Sequence, residues 1–434
     1  MTITARAEVA QRIDYQALSL EDCLALAREY NPGLIGATER IHELMADYQA
    51  AKSKFFPRLV LVSYYERANP DRLSPQGGLT TQPLFKEEAL ASVSGKQILY
   101  DGGKTYYSAQ AAKMGTEAQR EEARRTADEV AFTVTQAFYR LIEAKENLRV
   151  ALEALQERRD FATLTEAFFK AGKVTQLDSL RARSQVSEAE QAKVEAENAV
   201  SLAREILARS MGLKEEAPLD VIGGLPSEFA PASDINSLWQ EALKTNPEIR
   251  KLNLEIEQSQ TQIKVARGAY LPEVSLQGDL GVRHHDIAGT KGEWLGGVFI
   301  EFPFFEGGLT KAEVAKATSQ YLQSIEKKRD NLDSLKVDLA TAWQDQENAR
   351  QGVITTRQTV ATNEEAYASA QALYRNGKAI GLDVLQTQVD LTGSRFNSIK
   401  YAVAYEIAQA RIKQIIGFGL SESYQQSNIG GQKE

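Results

Sequence analysis

From Glu273 to Arg283 apolar and polar residues alternate strictly: Val274, Leu276, Gly278, Leu280 and Val282 fall on one side, Glu273, Ser275, Gln277, Asp279 and Arg283 on the other. A period of two is that of a β-strand with one apolar and one polar face. The segment that follows pairs with it in character. Trp294, Gly296, Val298, Ile300 and Phe302 share a side, while Glu293 and Glu301 lie opposite. A weaker version runs through Leu59, Leu61 and Tyr65, then Ala91 and Val93.

Elsewhere the period changes to that of a helix. From Lys104 to about Lys170 and from Thr310 to about Arg375 there is no proline, and at 1.5 Å rise each helix would be roughly 100 Å long. Tyr321, Ile325, Leu332, Leu335, Leu339, Ala342, Val353, Val360, Tyr367 and Tyr374 recur at helical spacing among Lys, Glu, Gln and Asn. Such a stripe fits helices packed side by side in a coiled-coil-like bundle. Each long helix stops at a glycine, Gly172 or Gly377, and a shorter one returns to Met211 or Ile416. The pattern predicts two antiparallel hairpins.

The chain also repeats itself. Asn31-Pro32 recurs as Asn246-Pro247 and Pro57 as Pro272; at a slightly shorter spacing Gly102-Gly103 recurs as Gly307-Gly308, Phe138 as Trp343, Leu177-Asp178 as Leu382-Asp383, and Met211-Gly212 as Ile416-Gly417. The difference is one insertion between Pro57 and Gly102, which marks an exposed loop. Each copy opens with a short helix, stopped at Asn-Pro, whose proline suits the first turn of the next helix. The expected division is a first repeat over 18–213, with strands at about 58–100 and a hairpin at about 103–211, then a linker at 214–234. The second repeat covers 235–418, with strands at about 273–303 and a hairpin at about 308–417; 1–17 and 419–434 are tails.

With 43% hydrophobic and 25% charged residues the chain lies in the globular range. Its 51 basic residues are interspersed with 59 acidic ones, so no basic stripe suggests nucleic acid. The one cysteine, Cys23, cannot form an intramolecular disulfide and reads as a small buried apolar residue. No apolar run reaches the ~18 residues of a membrane helix, which leaves a β-barrel open. Met1 to Val9 lacks the apolar stretch of a signal peptide, as in a mature form whose leader has been removed. Alternating segments of about ten residues suit a membrane barrel around a wet lumen; they suit equally a water-borne antiparallel sheet with one wet face. Two hairpins supply too few strands to enclose a channel, and open edges are not tolerated in lipid, so the membrane reading requires several chains to share one barrel. The competing reading is a soluble periplasmic coiled-coil scaffold with accessory β-hairpins.

Several motifs, ordered alike in both copies, resemble the TolC family of outer-membrane efflux proteins. They are the Asn-Pro after each short helix, Phe55-Phe-Pro and Tyr270-Leu-Pro before the strands, Tyr100-Asp-Gly-Gly and Phe305-Glu-Gly-Gly after them, and the run from Tyr374 to Leu385. The resemblance spans about Leu18 to Phe418. It implies a mainly α fold with a small membrane β-barrel portion: a homotrimer whose duplicated hairpins form an α-barrel tunnel, joined to a twelve-stranded β-barrel with four strands per chain. It further implies an exit duct of a tripartite efflux pump or type I secretion system, in the bacterial outer membrane and reaching into the periplasm. The partners would be a periplasmic adaptor and, through it, an inner-membrane transporter.

On that resemblance Gly172, Gly377, Tyr374 and Lys378 form the adaptor-contacting tip. Asp178, Asp383, Gln386, Tyr374 and Lys378 form a periplasmic gate, in which Asp178 pairs with Tyr374 or Lys378 of a neighbouring hairpin. Gln386 stands where some relatives carry a second acid, which weakens any acidic ring. Against the gate stands a local reading: Thr175 with Asp178 fits a helix-capping pattern. Val274, Leu276, Leu280, Val282, Trp294, Val298, Ile300 and Phe302 would meet outer-membrane lipid. His284, His285 and Asp286 read as a solvated loop rather than a metal site, and the longer loop Ala68 to Glu88 is its counterpart. The glycine pairs lack the Gly-Lys-Ser/Thr of a phosphate loop. No catalytic constellation, metal site or cofactor motif stands out, so an enzyme is not expected.

Overall fold

A computed structural model describes residues 15, 17–67, 87–213, 219–226, 228–231, 233–286 and 289–417. The expectations for Met1 to Val9, for most of the Ala68 to Glu88 loop and for the C-terminal tail lie outside the described residues.

The elements follow the repeat. The first copy runs α1 (Leu20–Tyr30), α2 (Pro32–Ser53), β1 (Arg58–Arg67), β2 (Glu87–Tyr100), α3 (Lys104–Lys170) and α4 (Gln176–Met211). The second runs α5 (Ile235–Thr245), α6 (Pro247–Gly268), β3 (Glu273–His285), β4 (Gly289–Glu301), α7 (Leu309–Arg375) and α8 (Gly381–Ile416). The helices α3 and α7 are both 67 residues long, and α4 and α8 both 36, so the insertion between Pro57 and Gly102 leaves the hairpins untouched.

The chain forms two compact units, and each draws on both repeats. One comprises 1–39, 121–250 and 331–434; the other comprises 40–120 and 251–330.

In the first unit the Asn-Pro motif ties together helices far apart in sequence. The Asn31 side chain donates through Nδ2 to the Ser210 carbonyl at 2.8 Å, at the C-terminus of α4, and its Oδ1 accepts from Gly33 N at 2.8 Å. Asn246 does the same in the second copy, to the Ile415 carbonyl at 2.7 Å and from Ile249 N at 3.1 Å. One amide thus satisfies an orphan carbonyl of one helix and an orphan N–H of another. Gly212 and Gly417 close the returning helices at φ 79° and 91°. A Cβ on Gly212 would collide with the Tyr30 carbonyl, and one on Gly417 would crowd Pro247 and the Thr245 carbonyl, so both conformation and space call for glycine.

Two of the buried clusters of this unit are also repeats of each other. Leu18, Cys23 and Leu26 pack on Val134, Phe138 and Leu141 of α3 and on Leu207 and Met211 of α4. The second copy packs Ala242 of α5 on Leu339, Ala342 and Trp343 of α7 and on Ile412 and Ile416 of α8. Cys23 is fully buried, and burial pushes its thiol up to about 12, so it acts as an apolar filler. The described residues of the stretch read as a linker are docked: Leu18 bridges Val221, Lys145 pairs with Asp220 at 3.0 Å, and the Tyr405 hydroxyl donates to the Ala230 carbonyl at 2.9 Å.

The second unit carries one four-stranded antiparallel sheet in the order β1-β2-β3-β4. Both hairpins pair across β2 and β3, leaving β1 and β4 as edges. The strand β3 extends through His285, so His284 and His285 belong to a strand and not to the loop expected of them. Ladder partners Thr290 and Gly289 on β4 hold them there.

Candidate functional site: the sheet faces and the hairpin turns

Register turns the alternation of single strands into a continuous surface. Leu61 pairs with Val93, Val93 with Leu280, and Leu280 with Trp294, so one apolar row crosses all four strands. Leu276 with Val298 and Val274 with Ile300 extend it. Apart from half-buried Val274, these side chains are bare in the single chain: Trp294 is 80% exposed, Leu61 73% and Ile300 71%. Phe302 lies just past the end of β4 rather than within it and is exposed too.

The opposite face carries the charged residues, with exposed Val62, Leu295 and Phe299 among them, and is cross-linked. The Tyr64 hydroxyl donates to Glu88 at 2.8 Å; Arg283 donates to Glu88 at 2.6 Å and to Glu293 at 2.8 Å. One residue from each strand therefore joins a single lateral chain. Charge-assisted bonds of this kind hold polar groups in register. As successive strand residues, His284 and His285 point to opposite faces, and His284 bonds Thr290 at 2.9 Å. They do not converge on a metal, and no metal-holding group of His, Cys, Asp or Glu occurs among the described residues.

At the hairpin turns both glycines adopt the left-handed conformation, Gly172 at φ 70° and Gly377 at 69°. Gly172 N donates to Phe169 O and Lys173 N to Phe168 O; Gly377 N donates to Tyr374 O and Lys378 N to Leu373 O. This is the Schellman closure that a helix ending in glycine favours. The returning helices then start differently. Thr175 and Asp178 form a full capping box: Thr175 Oγ1 accepts from Asp178 N at 3.3 Å, and Asp178 Oδ2 accepts from Thr175 N at 3.1 Å. Ile380 occupies the equivalent cap with a side chain that accepts nothing; Asp383 N donates to its carbonyl at 3.2 Å instead, and the Asp383 carboxylate reaches back to Ile380 N at 3.3 Å.

The expected gate residues are thus only partly brought together. Asp178 is half-buried and engaged with Thr175, whereas Asp383 and Lys378 are exposed. Gln386 donates to Asp390 at 3.0 Å, one turn on, and places an acid that the sequence reading missed. The expectation of an outward Tyr374 is corrected: it is 4% exposed, its ring tilted against those of Phe161 and Phe168 at centroid distances of 5.2 Å and 5.6 Å, with its hydroxyl 3.3 Å from Thr165. An aromatic ring in the last turn of a helix is drawn under the neighbouring hairpin because burial gains more than exposure. Exposed instead are Phe169, Leu177, Leu180, Leu373, Ile380 and Leu382, of which Ile380 is 62% exposed. Their signal was available: apolar residues beside the turn glycines that fall off the buried stripe.

Above the turns Arg395 of α8 reaches Glu153 and Glu157 of α3, each at 3.5 Å, and Glu364 of α7 at 3.2 Å. Buried Gln388 adds a bond to Glu157 at 3.4 Å. One arginine facing three carboxylates ties the two hairpins together.

Paired helical hairpins joined to a short sheet with one apolar and one polar face define a class of outer-membrane channel subunit. No helix among the described residues is long and apolar enough to cross a membrane. The model of the outer membrane efflux protein family matches residues 23–213 and again 238–418, and the chain belongs to that family. Outer membrane efflux protein BepC of Brucella suis is 26% identical, over 72% of this chain and 69% of its own. Alkaline protease secretion protein AprF of Pseudomonas aeruginosa is 25% identical, over 72% and 66%. The crystal structure of the outer membrane protein VceC from Vibrio cholerae superposes with a TM-score of 0.79 at 18% identity, covering 92% of this chain and 96% of the other. The protein is an outer-membrane efflux or secretion channel component that extends into the periplasm.

Proposed function

We propose that three copies of this chain assemble into one duct, with each sheet contributing four strands to a closed barrel. The observation that carries it is the sheet itself: its apolar face is continuous across four strands while β1 and β4 each lack a second neighbour. In lipid every backbone donor and acceptor must be paired, and pairing β4 of one copy with β1 of the next satisfies both edges. Exposed Leu202 and Ile206 on α4, and Leu322 and Val337 on α7, call for cover by the same assembly. The duct is a passive conduit. A periplasmic adaptor meets the turns around Gly172 and Gly377, and through it an inner-membrane transporter supplies the energy.

The gate assigned to Asp178, Asp383 and Lys378 belongs to this reading. Exposed Asp383, with Asp390 about two turns further along α8, supplies the acidic ring at the mouth, and exposed Lys378 of a neighbouring hairpin is the partner for Asp178.

Purified in detergent, the protein is expected to be a threefold particle with one micelle-covered end, and to give single-channel currents in planar bilayers. A monomeric particle that stays in solution without detergent would instead establish the scaffold reading. Asp178→Ala and Asp383→Ala are expected to raise conductance, and unchanged conductance in both removes the gate.

A further inference from the structure

On the polar face of the sheet, where β1 and β2 meet the start of α3, lies a cavity of about 640 Å3. Lys54, Arg58, Lys96 and Lys104 line it, against only two acids, Asp101 and Glu273. Both acids are occupied. Glu273 lies between Lys96 at 3.1 Å and Lys104 at 3.7 Å, and Asp101 caps α3, accepting from Thr105 N at 2.8 Å and Oγ1 at 2.6 Å. Lys54 and Arg58 have no carboxylate partner among the described residues. Phe56, Pro57 and Ile98 give the same cavity an apolar wall.

We propose that this cavity is a way station for organic anions travelling through the duct, compounds with a carboxylate, sulfonate or phosphate head and a compact apolar body. The inference rests on the channel reading, because only a closed barrel turns this polar face toward a lumen. Arg58 and Lys96 are ladder partners, so their charges are held side by side rather than scattered. Ser108, on the same wall, offers a hydroxyl. The volume is that of a small-molecule pocket, within the ~300–1,000 Å3 usual for such sites. A neutral solute gains nothing from the charges of Lys54 and Arg58, and a bare inorganic anion gains nothing from Phe56 and Ile98. An amphipathic anion uses both.

The probe is 1-naphthyl phosphate, with 1-naphthol and inorganic phosphate as controls, titrated calorimetrically into the full chain in detergent and added to single channels. Lys54→Gln with Arg58→Gln is expected to weaken binding on the order of tenfold, as loss of two partly exposed charges implies, and to relieve current block in proportion. The charge-keeping pair Lys54→Arg with Arg58→Lys restores both, and Lys113→Gln elsewhere on α3 changes neither. Equal affinity in the wild type and the glutamine pair, or for 1-naphthol and its phosphate, overturns the proposal. So does a phospholipid that copurifies with the wild type, is lost from the glutamine pair and is not displaced by the probe, since the occupant is then a headgroup. Current without binding ends the site alone, whereas binding without current ends the duct reading and the travelling cargo with it.

Discussion

The hydroxyls of Thr165 in α3 and Tyr374 in α7 lie 3.3 Å apart in a space closed to solvent. They join the first hairpin to the second one turn before the glycine that ends α7. Removing only the hydroxyl, Tyr374→Phe, is expected to cost about 1 kcal/mol, because Thr165 loses a buried partner while the ring contacts stay. Tyr374→Ala also empties the space against Phe161 and Phe168, and about 3–5 kcal/mol is the usual loss for a large aromatic. Denaturant unfolding of the two variants checks the order, and equal losses would mean that the rings contribute nothing.

At the second turn Ile380 occupies a position that Thr175 fills in the first. A threonine there adds a side-chain acceptor for Asp383 N, which now donates to the Ile380 carbonyl at 3.2 Å, so Ile380→Thr is expected to stabilise the start of α8 by about 1 kcal/mol. The same change removes an exposed apolar side chain from the proposed adaptor surface and is expected to reduce co-purification with the adaptor. Hydrogen exchange at Leu382 and Asp383 reads the first effect, and affinity capture by the adaptor the second. A variant that is less protected at the cap contradicts the helix argument, and one captured as well as the wild type removes Ile380 from the surface.

Much of this architecture was legible without coordinates. The bounds of α3 and α7 were readable because each begins after a glycine pair, ends at a single glycine and contains no proline. The sheet faces were readable from β3 alone, since a strand has only two sides. Tyr374 was misplaced because position beside a turn says nothing about which neighbour covers a ring; that depends on the long-range contact with Thr165 and Phe161. The Asn31 and Asn246 bonds were equally out of reach, for the proline beside each explains a helix start while the amide's acceptor lies far along the chain. His284 and His285 were read as loop because polar residues before a glycine imitate a turn, and only pairing with β4 shows otherwise.

Glu406 of α8 faces Tyr139 of α3 in a pocket that also holds Asp128, Lys413 and Gln414. Burial raises its carboxyl above the usual range, although the Tyr139 hydroxyl and the charge of Lys413 pull it down. A folded-state value above the unfolded one contributes stability that is fully present below the ordinary glutamate range and is lost as pH rises through the folded value. Glu406→Gln is therefore expected to raise the thermal midpoint at neutral pH, and the gain should vanish below about pH 4, where both forms are uncharged. A gain of the same size at both ends of the titration would show that charge is not its source.

The two faces of β3 make opposite demands at adjacent positions. Leu280 shares its row with Val93 and Trp294, and in a closed barrel that row meets hydrocarbon; Asp279, next along the strand, turns to the polar side. An arginine on a lipid-facing barrel position costs about 2–4 kcal/mol near the bilayer midplane, whereas a lumen position tolerates charge. Leu280→Arg is accordingly expected to lower the yield of folded, heat-resistant oligomer in reconstituted bilayers, while Asp279→Arg leaves assembly intact and shifts ion selectivity toward anions. Comparing the two removes general effects of adding a cation to this strand. If Leu280→Arg assembled as well as Asp279→Arg, the apolar row would face something other than lipid, and the barrel proposed from it would have to be abandoned.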